Sequence, residues 1–393
     1  MSFEKGAQLV ISGPFTVSGT AQDPVIFRGN RSTTSGYGPT GFPSTNVLSV
    51  GSSSSCAIRH ARFDRLPDGS QLDLGAICTV EDSEWFGPGG SITMWGGSIK
   101  RSVFANMQGR PALSGMLHLI EDCEFRNNSR GLVTSWSRWG SGGDGLGWAI
   151  VRNCRFTDHK DVALSVSGFV DVTDCYIANN GVGLEGARLL KGNVIVNNRV
   201  GIRITDLQIT GSRNAICGST DWNVAQVSGD MDLRDMWFGT SSSFTARSWI
   251  EDAYNGAGYG FATIDASLEE PAWHIASPYR SACRTESARA GFTNDPLVFG
   301  NIIGNTVWTK ESHGLVLITK KSIVYASASL TIQAGVEVMF GSSGGIECRG
   351  ALLVSGSAAE SVIFRGNRST TSGYGPTGFP STNVLSVGSS SSC

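Results

Sequence analysis

The sequence predicts an all-β chain wound as a right-handed parallel β-helix, a solenoid with a short helical or irregular excursion. Three observations predict it. A six-residue pattern recurs about every twenty residues, a column of Asn and Asp follows it at a fixed offset, and the composition is rich in glycine and poor in charge. Of 393 residues, 51 are Gly and only 16% are charged, which suits many short strands and turns and argues against long helices or disorder.

The pattern is a branched aliphatic, two mostly polar residues, a small residue, a variable one and a large apolar one. It reads Ile58-Arg-His-Ala-Arg-Phe63, Val80-Glu-Asp-Ser-Glu-Trp85, Ile99-Lys-Arg-Ser-Val-Phe104 and Ile120-Glu-Asp-Cys-Glu-Phe125. It continues as Val151-Arg-Asn-Cys-Arg-Phe156, Val172-Thr-Asp-Cys-Tyr-Ile177 and Leu190-Lys-Gly-Asn-Val-Ile195, at intervals of 22, 19, 21, 31, 21 and 18 residues. Helical-hairpin repeats have longer units and a 3.6-residue spacing, so each unit is expected to form one β-helix coil paired with the coils above and below. Four residues after the small position stand Asn106, Asn127, Asp158, Asn179 and Asn197. Asn and Asp tolerate the left-handed backbone and bond locally, so this column predicts a repeated turn, often followed by Gly131, Gly183 or Gly201.

The two polar positions alternate in sign from coil to coil: Arg59-His60, Glu81-Asp82, Lys100-Arg101, Glu121-Asp122, Arg152-Asn153, Thr173-Asp174 and Lys191-Gly192. Opposite charges on neighbouring coils attract, and a slip of one coil would place like on like. Nine cysteines, an odd number, give poor grounds for a disulfide framework, and several fall on inward positions, so they are read mainly as buried thiols.

Beyond Gln208 the pattern loosens and ends at Met236-Trp-Phe-Gly-Thr240. Ser243 is a candidate cap for a helix whose apolar face is Ala246, Trp249, Ile250 and Ala253, closed by Asn255-Gly256. Strands are expected again from Leu315 and over Leu330-Thr-Ile-Gln-Ala-Gly-Val-Glu-Val-Met-Phe340. This last segment, with Ala351-Leu-Leu-Val-Ser-Gly356 and Val362-Ile-Phe364, resembles the opening coils of modular bacterial parallel β-helix proteins of the pectate-lyase-like superfamily. Trp237-Phe-Gly-Thr240 with Ile250-Glu-Asp252 is similar to the close of such a module. The resemblance implies the fold along nearly the whole chain. It leaves activity open, because that superfamily holds lyases, tailspikes, adhesins and structural repeats.

Residues 25–56 recur identically as 362–393, an offset of 337 residues. The predicted organisation is therefore a β-helix body over 1–240, a helix-containing excursion over 241–305, and the opening coils of the next module over 306–393. Recent duplication within a tandem array accounts for the identity of loop residues that folding hardly constrains. Neither terminus carries an obvious polar cap, so head-to-tail self-association along the solenoid axis is expected.

The net charge of −2 offers no footprint for nucleic acid, and no apolar run approaches the ~20 residues of a membrane span, so neither nucleic acid nor membrane insertion is expected. The start lacks the apolar core of a signal peptide; if the parent protein is exported, its signal lies outside this sequence. The carboxylates Glu81, Asp82, Glu121, Asp122 and Asp174 are candidates for a calcium site, but cations between them point to a structural ladder, and no metal or cofactor is assigned. His60, His118, His159, His274 and His313 have no nucleophile or metal partner at telling spacing, and no catalytic residue is assigned.

The inserted coil Ser135-Trp-Ser-Arg-Trp-Gly-Ser-Gly-Gly-Asp-Gly-Leu-Gly-Trp148 is the candidate binding surface. Trp136, Arg138, Trp139, Asp144 and Trp148, with Trp95 near the matching edge two coils earlier, have the make-up of an aromatic platform for a sugar ring or a protein partner. Folding of the loop onto the solenoid to bury its own tryptophans is the competing expectation. The leading functional expectation is a non-enzymatic structural or adhesive repeat of an extracellular filament or cell-surface protein, with surface glycans as further partners. The alternative is a polysaccharide lyase or hydrolase, or a carbohydrate-binding tailspike-like module.

Overall fold

The computed structural model describes most of residues 8–29, 46–64, 71–136 and 149–251, and shorter stretches between 262 and 387. Residues 30–45, 65–70, 137–148, 252–261, 284–296, 367–384 and 388–393, with single positions and short loops elsewhere, lie outside the described residues. The chain divides into two compact units, one of residues 1–252 and 262–289, the other of 253–261 and 290–393.

The first unit is a right-handed parallel β-helix. Its strands stack into sheets of eleven, ten and nine members, here sheets I, II and III. Each coil gives one short strand to each sheet, as in Gln71–Leu74 (sheet II), Cys78–Glu81 (sheet III) and Glu84–Phe86 (sheet I). The next coil repeats this with Ser91–Met94, Gly97–Lys100 and Val103–Ala105, all parallel and in register. Val80 therefore faces Ile99 and Trp85 faces Phe104, so the columns read in the sequence are stacking columns in space.

Inside sheet I the large apolar position builds a continuous ring stack: Phe27, Phe63, Trp85, Phe104, Phe125 and Phe156. Successive centroids lie 4.6–5.1 Å apart with planes within 8° of parallel. The stack passes to Ile177 and Ile195 on the next two coils. The neighbouring small position holds buried Ser83, Ser102, Cys123, Cys154 and Cys175, then buried Asn193 and Asn214. Where this side chain is polar it bonds the backbone at a corner. Ser83 Oγ accepts from the Ala61 N–H at 3.1 Å, and Asn193 Oδ1 accepts from the Cys175 N–H at 2.9 Å.

Two corners of each coil are made by single left-handed residues. Asn106, Asn127, Asp158, Asn179 and Asn197 have φ between 49° and 61°, as the column predicts. A second left-handed column, at the latter of the two charged positions, runs through His60, Asp82, Arg101, Asp122, Asn153 and Asp174. The charge ladder is therefore half strand end and half corner. Its pairs form as expected: Arg59 to Glu81 at 3.2 Å, Arg101 to Asp82 at 2.7 Å, Lys100 to Glu121 at 3.5 Å and Arg152 to Glu121 at 2.6 Å. At this exposure each contributes about 0–1 kcal/mol.

Next to the first corner column lies a buried polar ladder of Asn128, His159, Asn180 and Asn198. The Asn128 N–H donates to His159 Nδ1 at 3.1 Å, the His159 N–H to Asn180 Oδ1 at 2.9 Å, and the Asn180 N–H to Asn198 Oδ1 at 2.9 Å. Gly183 is small because a β-carbon there would stand 3.0 Å from Asn198 Nδ2 and 2.6 Å from the Gly201 carbonyl oxygen.

Two expectations need correction. Four cysteines are not thiols: Cys56 bonds to Cys78 and Cys217 to Cys283. Cys56 and Cys78 occupy the same register position on adjacent coils, with Cα atoms 4.4 Å apart. Cys123, Cys154, Cys175 and Cys348 are buried thiols. The helix is shorter than its apolar face suggests, running from Ser243 to Ser248, because Ile250 leaves it to pair with Val224 as a parallel bridge. Ala253, Asn255 and Gly256 lie outside the described residues. Ala246 and Ile250 are fully buried in the same core as the last coils. The chain thus covers the last coils of this unit with its own residues.

The second unit repeats the three-sheet arrangement in miniature, with sheets of four, three and three strands. Its strands Gly345–Cys348, Ala351–Ser355, Ile363–Gly366 and Leu385–Val387 overlap the positions 337 residues after Leu9–Ile11, Phe15–Ser18, Val25–Gly29 and Asn46–Val50. Among the described residues no helix is long and apolar enough to cross a membrane.

Candidate carbohydrate-binding face and corner groove

Sheet II exposes one flank of the first unit. Along each strand Leu72, Leu74, Ile92, Met94, Leu113 and Leu132 point into the core, so the alternate residues point outward. Register then aligns Asp73, Thr93, Ser114, Val133, Ser165, Glu185 and Arg203 as one outer row across seven coils. Some neighbours in it, and residues flanking it, are joined by side-chain hydrogen bonds. Gln71 Nε2 donates to Thr93 Oγ1 at 2.7 Å, and Thr93 and Ser114 hydroxyls meet at 3.2 Å. Arg110 donates to Gln71 Oε1 at 3.1 Å, and Ser165 Oγ donates to Glu185 Oε2 at 3.1 Å. Apart from Val133, the row is a strip of hydroxyl, carboxylate and guanidinium groups held at strand spacing, about 4.7–4.9 Å.

Trp95 stands beside this strip, two residues beyond Thr93. It follows Met94 directly, its backbone N–H donates to the Leu74 carbonyl at 3.3 Å, and its residue surface is 54% exposed. Ile77, 72% exposed, lies at the same corner, where a β-carbon on Gly96 would come within 3.5 Å of its Cγ1. Of the six residues singled out in the sequence, Trp95 is therefore placed on the surface beside the polar row. Register sets Met94 level with Gly115 and Thr134, so Trp95 is level with Ser135, one residue short of Trp136. Trp136 ends the strand Arg130–Trp136 opposite Gly168. Arg138, Trp139, Asp144 and Trp148 lie outside the described residues. The sequence reading missed Gln71, Thr93 and Ser114. Their signal was the alternation in Gln71-Leu-Asp-Leu74, Ser91-Ile-Thr-Met94 and Pro111-Ala-Leu-Ser114, which shows its outward row only once the coils are in register.

The other concave feature lies at the corner between sheets III and I. A groove of about 460 Å³ opens between the turn Thr20–Pro24 and the corner residues His60, Asp82 and Arg101, with Arg62 and Glu84 on its floor side. The turn is closed by the Asp23 N–H donating to Thr20 Oγ1 at 3.0 Å. It presses close to the corner, since a β-carbon on Gly19 would sit 2.5 Å from the His60 carbonyl oxygen. The Arg101 guanidinium grips Asp82 with two hydrogen bonds, 2.7 and 2.9 Å, and holds its carboxyl below the usual carboxylate range. Glu81, Asp82 and Glu121 of the ladder are thus engaged by cations on adjacent coils, as the alternation of sign requires.

No protein-family model matches this chain, and no curated protein does. Solved structures do match. An arginine-to-alanine variant of the PL6 family alginate lyase AlyGC aligns over 98% of this chain and 72% of its own, at 9% identity and a TM-score of 0.21. The unsubstituted AlyGC structure aligns over 94% of this chain and 71% of its own, at 10% identity and a TM-score of 0.20. The fold, a right-handed parallel β-helix, stands on the stacked sheets of this chain itself. Both of these solved chains are alginate lyases, whereas a non-enzymatic protein was expected; a likeness this weak decides nothing about activity here. At this identity the likeness concerns the fold and assigns no reaction to any residue here.

Proposed function

We propose that this chain is a carbohydrate-binding β-helix module, displayed outside the cell, that holds an extended glycan along the outer face of sheet II with Trp95 as its aromatic anchor. The observation that supports this is exposed Trp95, two residues beyond Thr93, beside the hydrogen-bonded set Gln71, Thr93 and Ser114. An indole face takes the C–H face of a sugar ring, while neighbouring hydroxyls and amides both donate to and accept from the ring hydroxyls. A strip that repeats with each coil suits a polymer better than a single small molecule. The two disulfides favour an oxidising compartment. The duplication at an offset of 337 residues favours several such faces along one longer chain, which raises avidity without new contacts.

Titration with soluble polysaccharides, followed by tryptophan fluorescence, tests the reading. Trp95→Ala is expected to weaken binding at least tenfold while melting at the wild-type temperature. Unchanged affinity in that variant sinks the proposal. Following the same mixtures for unsaturated or shortened products extends the reading from binding to cleavage if products appear.

A further inference from the structure

We infer that the corner groove is a second carbohydrate site, one that takes the vicinal hydroxyls of an uncharged sugar; this rests on the carbohydrate-binding reading above but uses none of the residues of the sheet II face. The groove's volume, about 460 Å³, lies within the range of small-molecule pockets.

Its charge is balanced pair by pair. Arg101 meets Asp82 at 2.7 Å and Arg62 meets Glu84 at 4.0 Å, so each guanidinium in the lining has a carboxylate partner. An anionic sugar entering here would face two carboxylates, and a cationic ligand two guanidiniums. A neutral diol fits both, because one hydroxyl can accept from a guanidinium N–H while its neighbour donates to a carboxylate oxygen. The pairs remain within reach of a ligand, with side-chain exposures of 47% for Arg101, 29% for Asp82 and 45% for both Arg62 and Glu84. Ala21 and Pro24 in the turn give the opposite wall an apolar surface for ring C–H groups.

Calorimetric titration of the full chain tests this, with cellohexaose, xylohexaose and mannohexaose as neutral probes and hexagalacturonate as the anionic probe. At least one neutral probe is expected to bind at two sites per chain. Asp82→Asn and, separately, Glu84→Gln should weaken one site at least tenfold and leave the other intact, whereas Trp95→Ala should do the converse. Glu84→Gln leaves the Arg101–Asp82 pair in place, so a fold defect in one variant does not remove the test. If both groove variants bind the neutral probes as the unaltered chain does, if no neutral probe binds, or if hexagalacturonate is the ligand that these variants lose, the inference is overturned. Loss of the groove site with an unaffected Trp95→Ala titration would uphold the groove and reject the sheet II face.

Discussion

Two stretches of the same solenoid solve the same packing problem with different chemistry. Residues 57–156 fill sheet I with stacked rings and place Ser or Cys at the small inner position. Residues 172–225 replace the rings with Ile177, Ile195 and Ile216 and run amides through the interior, with Asn180, Asn193, Asn198 and Asn214 all buried. Ring stacking is strong and tolerant of small shifts along the plane, and each pair adds about 0.5–1.5 kcal/mol beyond the area it buries. Amide ladders are directional. Each Asn satisfies a backbone N–H of the coil before it, and Asn193 Nδ2 also donates to the Val172 carbonyl at 2.9 Å. The first stretch therefore gains most from buried area, the second from fixing the register of its corners.

The comparison breaks most visibly at the rings. Phe125 lies between Phe104 and Phe156, so Phe125→Ala removes two stacked contacts and leaves a cavity. A loss of about 3–5 kcal/mol is expected in denaturant titration. Ile195→Val in the second stretch should cost only about 0.5–1.5 kcal/mol.

His159 joins the two stretches, and acid should find it. Burial pushes its imidazole down to about 4 from 6.5, and the neutral ring accepts from the Asn128 N–H through Nδ1. A folded value below the unfolded one means the neutral form is favoured in the fold. The stabilisation is complete above pH 6.5 and is lost as pH falls toward 4, by on the order of 3 kcal/mol. Melting curves across that window should show the loss, and His159→Asn, which matches the amides on either side, should flatten it.

The amide ladder itself gives a smaller effect. Asn193→Ala leaves the Cys175 N–H and the Val172 carbonyl without their partner, for an expected loss of about 2–3 kcal/mol. Ser102→Ala, at the same column in the first stretch, should lose less because a single hydroxyl serves there. Smallest is the charge ladder. Glu121→Gln, between Lys100 and Arg152, should shift stability by about 1 kcal/mol or less, and added salt should shrink the difference further.

The sequence alone determined the coil, the left-handed Asn and Asp column, the alternating charges and the equivalence of the two copies. In a solenoid each coil touches only its neighbours, so a local pattern repeated in the chain becomes a column in space. Asn127-Asn128, Asn179-Asn180 and Asn197-Asn198 also announced the buried ladder beside that column, had the paired residues been read as one turned out and one turned in. What the tertiary structure decided depends on which residues of different coils meet, and coil intervals of 18 to 31 residues hide that from a linear reading. The bond between Cys217 and Cys283 and the groove closed by the Thr20–Pro24 turn join segments whose separation carries no period. The helix end is of the same kind. Its sequence would continue past Ser248, but a backbone pairing of Ile250 with Val224 on the last coil outweighs one more turn of local helix.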